Sequence, residues 1–222
     1  MRVRNVEASA SAAATVRRTQ IVAATIEVIA EEGLAQATFA RIRQRAGLSS
    51  TRLISYHFAG KDDLIAAVVE DVLDRIAHHV GQRIEAAESA AETAAETAAG
   101  ARNATAILRA YIEGSVSFID THRAPMQALL QIVLAAAGLP ATTGAKAVPG
   151  PRASQGPLEG LLRHGQATGE FRSFDATAVG SAIQRAIEGL PHLLAAEPDL
   201  DCDNYASELV ELYLRGIRAD QR

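Results

Sequence analysis

The chain has 222 residues, with 22 lysines and arginines against 26 aspartates and glutamates and a formal net charge of -4. This length is enough for one large or two small domains with a substantial core. A single cysteine, Cys202, excludes an internal disulfide and with it the framework of a small secreted protein. The longest nearly apolar stretch, residues 128–139, has 12 residues, fewer than the ~20 that a membrane span needs. We therefore expect a cytoplasmic protein without a membrane span or a secretory signal.

Alanine dominates the composition, since the sequence contains 46 alanines and no tryptophan. Alanine is the best helix former, and the alternation of β-branched and aromatic residues that is typical of strands is scarce. The sequence therefore predicts an all-α protein with about nine helices.

Charge is distributed unevenly along the chain. Residues 1–65 contain nine basic and six acidic residues, a net charge of +3, whereas the remainder contains 13 basic and 20 acidic residues, a net charge of -7. This asymmetry indicates an N-terminal unit that faces nucleic acid, attached to an acidic body that repels polyanions. Solvated helix surfaces can produce the same charge distribution by chance. The charge alone therefore does not distinguish a unit that faces nucleic acid from ordinary solvent-exposed helices.

Apolar periodicity and capping residues predict the helices in chain order. Residues 1–14 lack periodicity and are expected to form a flexible arm. A first helix follows up to Gly33, Thr38 caps a second that ends at Gly47, and Ser49 or Ser50 caps a third that runs to Phe58. A long fourth helix begins at residue 61 and ends in an alanine- and glutamate-rich extension over residues 85–100. The later helices are predicted at 104–122, 125–137, 158–169, 175–190 and 204–218.

These elements predict two domains and one long loop. Residues 15–60 would form an N-terminal domain that faces nucleic acid, and residues 61–222 a larger helical body. Residues 138–157 contain four prolines and four glycines, a composition that predicts a disordered loop.

The segment from Thr38 to Leu64 carries the clearest functional pattern. Two short helices joined by a glycine-containing turn are typical of a helix-turn-helix, in which the second helix enters the major groove of DNA. Small polar side chains can approach base edges there, and arginine is the usual reader of guanine. The candidates for base contacts are Ser49, Ser50, Thr51 and Arg52. The other DNA-binding candidates, mainly for the phosphate backbone, are Arg17, Arg18, Thr38, Ser55, Tyr56, His57 and Lys61.

The run A-G-L-S followed by I-S-Y-H-F-A-G-K-D-D-L resembles the DNA-binding signature of the TetR family of bacterial transcriptional repressors, A-G-V-S-x-G-x-L-Y-x-H-F-x-x-K-x-x-L. The matching residues are Ala46, Gly47, Ser49, His57, Phe58, Lys61 and Leu64. Residues 161–190 are similar to the C-terminal pattern of the family, in which a helix ends in G-E-F and an aspartate begins the next helix.

Two departures from the signature affect the site. One residue is inserted between Gly47 and Phe58, which leaves open whether Ser50, Thr51 or Arg52 reads the bases. Ser55 stands where the family usually has a tyrosine, so Tyr56 is the candidate for a phosphate-contacting tyrosine.

The resemblance implies a homodimer that binds a palindromic operator and is released by a small, largely apolar effector. Dimerisation would use the last two long helices, through Val179, Ile183, Leu209 and Leu212. The candidates for lining an effector cavity are Ile84, Tyr111, Phe118, Met126, Leu130 and Ile187, each of which core packing explains equally well. Repression and activation are not distinguished. The alternative function is a helical protein-interaction module that has lost specific DNA binding.

Catalysis is the rival class, and the sequence does not favour it. No phosphate-binding loop, nucleophile elbow or zinc-protease motif is present. The side chains of His78 and His79 diverge by about 100° on a helix, which disfavours a shared metal. We therefore expect no enzyme activity, no metal and no cofactor.

Overall fold

A computed structural model of the chain describes residues 2–95, 104–137 and 156–219, with side chains described for 12–90, 104–136 and 156–219. Nine α-helices and one short 3-10 turn make up this described part, and no β-strand occurs in it. This confirms the predicted all-α class. The helices are α1 (Arg2–Glu32), α2 (Phe39–Arg45), α3 (Arg52–His57), α4 (Lys61–Ala95), α5 (Ala104–Thr121), α6 (Arg123–Ala137), α7 (Gly156–Ala167), α8 (Ala176–Ala196) and α9 (Cys202–Ile217).

The first helix begins earlier than the sequence predicted. α1 starts at Arg2, so residues 2–14 are helical where a flexible arm without regular structure was expected. The alanine-rich residues 8–14 favour a helix by propensity alone and have no apolar stripe from which a helix could be recognised. The end of the alanine- and glutamate-rich extension and most of the predicted loop, residues 138–155, lie outside the described residues.

The eighth helix ends later than predicted. α8 continues to Ala196 with Pro191 in its interior, although the prediction ended it near Leu190. Proline lacks the N–H that an interior helical residue donates, which costs about 3 kcal/mol or more. Leu190 is completely buried and Leu194 is nearly so, so apolar contacts on both sides of the proline offset this cost.

The described residues fall into two compact units, and the first consists of residues 1–74 and 123–148. Here α1 packs against α2, α3 and α6. The side chains of Ile21, Ile29, Ile42, Ile54 and Leu64 are fully buried in this unit.

The linker between α1 and α2 is held from two sides within this unit. Gly33 has a φ of 98°, a left-handed conformation that favours glycine. The backbone N–H of Leu34 donates to Oε1 of Gln131 on α6 at 3.1 Å, and Nζ of Lys61 donates to the carbonyl of Leu34 at 3.1 Å. α6 and the first residue of α4 therefore bind the same linker.

The second unit consists of residues 75–122 and 149–222. α5 is central to it and packs against α7, α8 and α9. The fully buried large side chains are Leu108, Ile112, Phe118, Leu158, Leu162 and Ile183. The predicted boundary between residues 60 and 61 concerns function and stays a prediction.

The carboxylate of Glu170 caps the N-terminus of α5. Its two oxygens accept from the backbone N–H groups of Ala104 at 2.8 Å and Thr105 at 3.1 Å, and from the hydroxyl of Thr105 at 3.0 Å. The first N–H groups of a helix have no partner within the helix, and an anion is favoured at that end of the helix dipole. The loop between α7 and α8 therefore fixes the start of α5.

Glu170→Gln is expected to lower the free energy of unfolding by about 1–2 kcal/mol, because an amide NH2 replaces one of the two accepting oxygens and the charge is lost. Urea denaturation followed by circular dichroism measures this. Glu208→Gln is the control, since Glu208 is exposed on α9 and should change stability by less than about 0.5 kcal/mol. Equal effects of the two variants would contradict the capping role.

Candidate nucleic-acid interface

The turn between α2 and α3 has the geometry of a helix-turn-helix. The side chain of Thr38 accepts from the N–H of Arg41 at 3.3 Å, which confirms the predicted cap of α2. Gly47 has a φ of 64° and follows the last turn of α2. The N–H of Leu48 then donates to the carbonyl of Arg43 at 3.0 Å, which closes the end of α2.

The start of α3 differs slightly from the prediction. Thr51 occupies the capping position without a side-chain hydrogen bond of its own. Oγ of Ser50 accepts from the N–H of Arg52 at 3.2 Å, so Ser50 contributes to capping one residue earlier. Ser49, Ser50 and Thr51 thus belong to the turn, and Arg52 is the first residue of the helix.

α3 has one buried face and one exposed face. Ile54 is fully buried and the following Phe58 is 2% exposed. Arg52, Ser55 and Tyr56 are all exposed, and their spacing of three and four residues places them on one side of the helix. Tyr56 is 81% exposed, an unusual position for a large aromatic side chain. This surface, together with exposed Ser49, is called the reading face below.

Two basic residues that are DNA-binding candidates, Arg18 and Lys61, donate to backbone carbonyls of the first unit. Arg18 is half-buried, and its NH1 donates to the carbonyl of His57 at 3.2 Å while its guanidinium lies 4.4 Å from the ring centroid of Phe58. Lys61, although exposed, donates to the carbonyl of Leu34. Arg17 is exposed and donates to the side chain of Gln20 at 2.7 Å. His57 is half-buried and packs edge-on against Tyr56.

Two of the three arginines of α2 are paired with acids of α1, a pairing that the sequence did not predict. Arg41 lies 3.0 Å from Glu32, and Arg45 binds Glu31 at 2.9 Å and Glu27 at 3.3 Å. The hydrogen bond from Arg45 lowers the pKa of the Glu31 carboxyl and raises that of the guanidinium. Acids four residues apart on α1 and arginines four residues apart on α2 are a signal from which this pairing could have been found.

The pairing changes which cations are available to a ligand. In the part of the first unit that the structure describes, the arginines of α2 are bound to carboxylates or to the backbone. Arg52 on the reading face has no acidic partner among the described residues. Its guanidinium is therefore exposed and uncompensated.

The predicted effector residues do not form a described cavity. Phe118 and Ile187 are buried in the second unit, where Ile84 is half-buried, whereas Met126 and Leu130 belong to the first unit. An open groove of about 750 Å³ lies between α4 and α5 in the second unit. Its lining consists of Arg83, Ala86, Ala87, Ala90, Thr105, Ala106, Arg109, Ala110 and Glu113, and contains none of the predicted residues.

Tyr111 is the predicted effector residue with the most distinctive surroundings. Its hydroxyl donates to Oε1 of Gln184 at 2.7 Å, and Nε2 of Gln184 donates to Oε1 of Glu188 at 2.8 Å. Burial, together with the charge of Glu188, raises the pKa of Tyr111 to about 12. These three side chains form a polar chain between α5 and α8.

The predicted dimer residues differ in their availability. Leu212 is 66% exposed on α9, and Val179 and Leu209 are half-buried. Ile183 is fully buried within the protomer, so its side chain packs in the core of its own chain.

Metal-binding clusters and membrane spans do not occur in the described part of the chain. Among its residues, no group of three or more histidines, cysteines, aspartates or glutamates could hold a metal ion. In the same residues, no helix is long and apolar enough to cross a membrane.

Comparison with known proteins supports the helix-turn-helix. Residues 21–68, which run from α1 into α4, match the family model described as bacterial regulatory proteins, tetR family. Over these residues the chain is similar to that family. The matched residues include the turn and the reading face, where the signature predicted the helix-turn-helix.

Curated relatives match this chain over part of their length. The HTH-type transcriptional regulator BetI 1 of Chromohalobacter salexigens is 42% identical over 74 residues, which cover 32% of this chain and 36% of the relative. BetI of Escherichia coli is 31% identical over 116 residues, which cover 52% of this chain and 53% of that protein. The chain thus spans between about a third and about half of the length of these relatives.

Solved structures share the fold over almost the whole chain. A tetR-family regulatory protein from Rhodococcus RHA1 aligns with a TM-score of 0.69 at 21% identity, covering 92% of this chain and 98% of the other. The fatty acid degradation regulator FadR of Bacillus halodurans aligns with a TM-score of 0.72 at 17% identity, covering 92% and 97%. At these identities the likeness concerns the fold.

Proposed function

We propose that this chain is a ligand-responsive transcriptional regulator that binds a palindromic operator as a homodimer and acts as a repressor. The observation that carries the proposal is the reading face. Arg52, Ser55 and Tyr56 are exposed on one side of α3, while the opposite side packs into the core. A short helix with this arrangement presents a guanidinium and hydroxyls to base edges in the major groove.

Phosphate contacts are assigned to the exposed polar groups around α3. Arg17 in the middle of α1 and Tyr56 are the main candidates, with Ser49 and Ser55 as further donors. The acid pairing on α2 removes Arg41 and Arg45 from the set of free cations, so the positive charge offered to DNA is concentrated on a few side chains. This concentration favours a defined register over non-specific attraction.

Dimerisation is assigned to α8 and α9. Leu212 and Val179 border a shallow groove of about 320 Å³ between these helices. Exposed apolar side chains beside a groove suit a two-fold interface, in which the same surface of each copy meets the other. Two identical readers then explain a palindromic operator.

The effector is assigned to the second unit, between α5 and α8. A small, largely apolar molecule that separates these helices would have to replace the hydrogen bond between Tyr111 and Gln184. Its binding could release DNA only through a difference in affinity between the two states, typically about 1–3 kcal/mol of coupling.

Selection from random duplexes tests the proposal. The full chain is mixed with a library of duplexes about 40 base pairs long, enough for two half-sites one turn of ~10 base pairs apart. A palindromic sequence is expected to be enriched, with two chains per duplex in a sizing experiment and an affinity that falls steeply with salt. Failure to enrich any sequence would favour the alternative of a helical protein-interaction module.

A further inference from the structure

Arg18 is bound to the C-terminal end of α3. Its guanidinium lies over the ring of Phe58 and donates to the carbonyl of His57, the last residue of α3. Phe58 is 2% exposed, so one face of the guanidinium rests on the protein core. Arg17, one position earlier on α1, is exposed and donates to Gln20 on its own helix.

The contact of Arg18 acts on a short helix that has few buried side chains of its own. α3 has six residues and a single fully buried side chain of its own, Ile54, so few contacts fix its direction. The last carbonyls of a helix lack partners within the helix, and a cation is favoured at this negative end of the dipole. A stacked guanidinium adds a cation–π contact to the following aromatic ring.

A neighbour on α1 holds the other short helix in the same way. Nε2 of Gln20 donates to the carbonyl of Ala46 at 2.7 Å, at the C-terminal end of α2. Arg18 and Gln20 thus bind the ends of α3 and α2 from a single rigid helix. α1 therefore binds both ends of the segment that consists of the turn and α3.

We infer that Arg18 is a positioning residue that orients α3 for DNA reading and makes no contact with phosphate itself. The inference rests on the proposed function and replaces the DNA contact that the sequence predicted for Arg18. In this inference Arg17, in the middle of α1, is the residue of this helix that contacts phosphate.

Two matched variants of the full chain test the inference, with the duplex enriched by the wild-type chain and a shuffled duplex of the same composition. Arg18→Met keeps the aliphatic packing and removes the guanidinium. We expect it to weaken binding to the enriched duplex about tenfold, with unchanged affinity for the shuffled duplex and an unchanged slope of log affinity against log salt. Arg17→Met is expected to reduce that slope by about 0.9 for each phosphate that the arginine neutralises.

Hydrogen exchange of the DNA-free chain supplies a second measurement. Arg18→Met is expected to speed exchange in peptides that cover residues 52–58, and Arg17→Met is expected to leave these peptides unchanged. A salt slope that falls in Arg18→Met as it does in Arg17→Met would overturn the inference. So would unchanged exchange in α3, or faster exchange throughout residues 21–68.

The outcomes also separate this inference from the proposed function. If the wild-type chain enriches no duplex, the proposed function fails, while the exchange measurement still decides whether Arg18 holds α3. If the wild-type chain binds specifically and Arg18→Met reduces the salt slope, only the inference fails.

Discussion

Arg52→Ala is expected to abolish most of the preference of the chain for its operator. A bidentate contact between arginine and a base contributes about 1–3 kcal/mol of discrimination, and the two subunits of a dimer would double this to roughly 2–6 kcal/mol. Arg52 can make such a contact because it is exposed at the start of α3 and has no acidic partner among the described residues. Gel shifts with the enriched and shuffled duplexes measure the ratio of the two affinities.

Arg41→Ala is the matched control for Arg52→Ala. It removes the same charge from the same unit, but Arg41 is paired with Glu32 and lies on α2. We expect it to change both affinities by a similar small factor and so to leave the ratio near that of the wild-type chain. If the two variants had the same ratio, Arg52 would not be the base reader.

Gly165→Ala is expected to lower the free energy of unfolding by about 2–3 kcal/mol, which corresponds to a fall of about 4–12 °C in melting temperature. A Cβ at Gly165 would overlap the ring of Phe171, far inside the roughly 3.5–4.0 Å of an ordinary carbon–carbon contact. Phe171 is 3% exposed and its backbone N–H donates to the carbonyl of Gly165, so the ring has little room to withdraw. Thermal unfolding followed by circular dichroism measures the change.

Gly160→Ala on the same helix should have the opposite sign. Nothing lies within 4 Å of a Cβ at Gly160, and this residue is exposed. Alanine is favoured over glycine in a helix by about 1 kcal/mol, so the melting temperature should rise by about 2–4 °C. A stabilised Gly165→Ala would show that the ring of Phe171 can withdraw from the helix at little cost.

The sequence predicted most of the fold because apolar periodicity and capping residues report local structure directly. The cap at Thr38 and the turn at Gly47 can be recognised from a few neighbouring residues in the sequence. The start of α1 and the passage of α8 through Pro191 were predicted wrongly. Helix propensity without an apolar stripe explains the early start of α1, and burial of leucines on both sides of the proline explains the continuation of α8. Neither can be predicted from the apolar periodicity of the sequence.

The candidate interface was predicted less well than the fold. The position of the turn and the cap of α2 at Thr38 agree with the sequence-based expectation. The hydrogen-bond partners of the basic side chains could not be predicted from the sequence. Arg18 and Lys61 bind carbonyls 39 and 27 residues away along the chain. Whether a basic side chain is free for DNA depends on such tertiary contacts, and a motif does not record them.

The two hydrogen bonds to the linker between α1 and α2 restrict how α4 and α6 can move relative to each other. Gln131 and Lys61 bind the N–H and the carbonyl of the same residue, Leu34, from two different helices. Any rearrangement that draws α6 away from the base of α4 must either break one of these hydrogen bonds or drag Leu34 along. Leu34 therefore couples the two helices. A displacement of either helix is transmitted through Leu34 to the linker that precedes the helix-turn-helix.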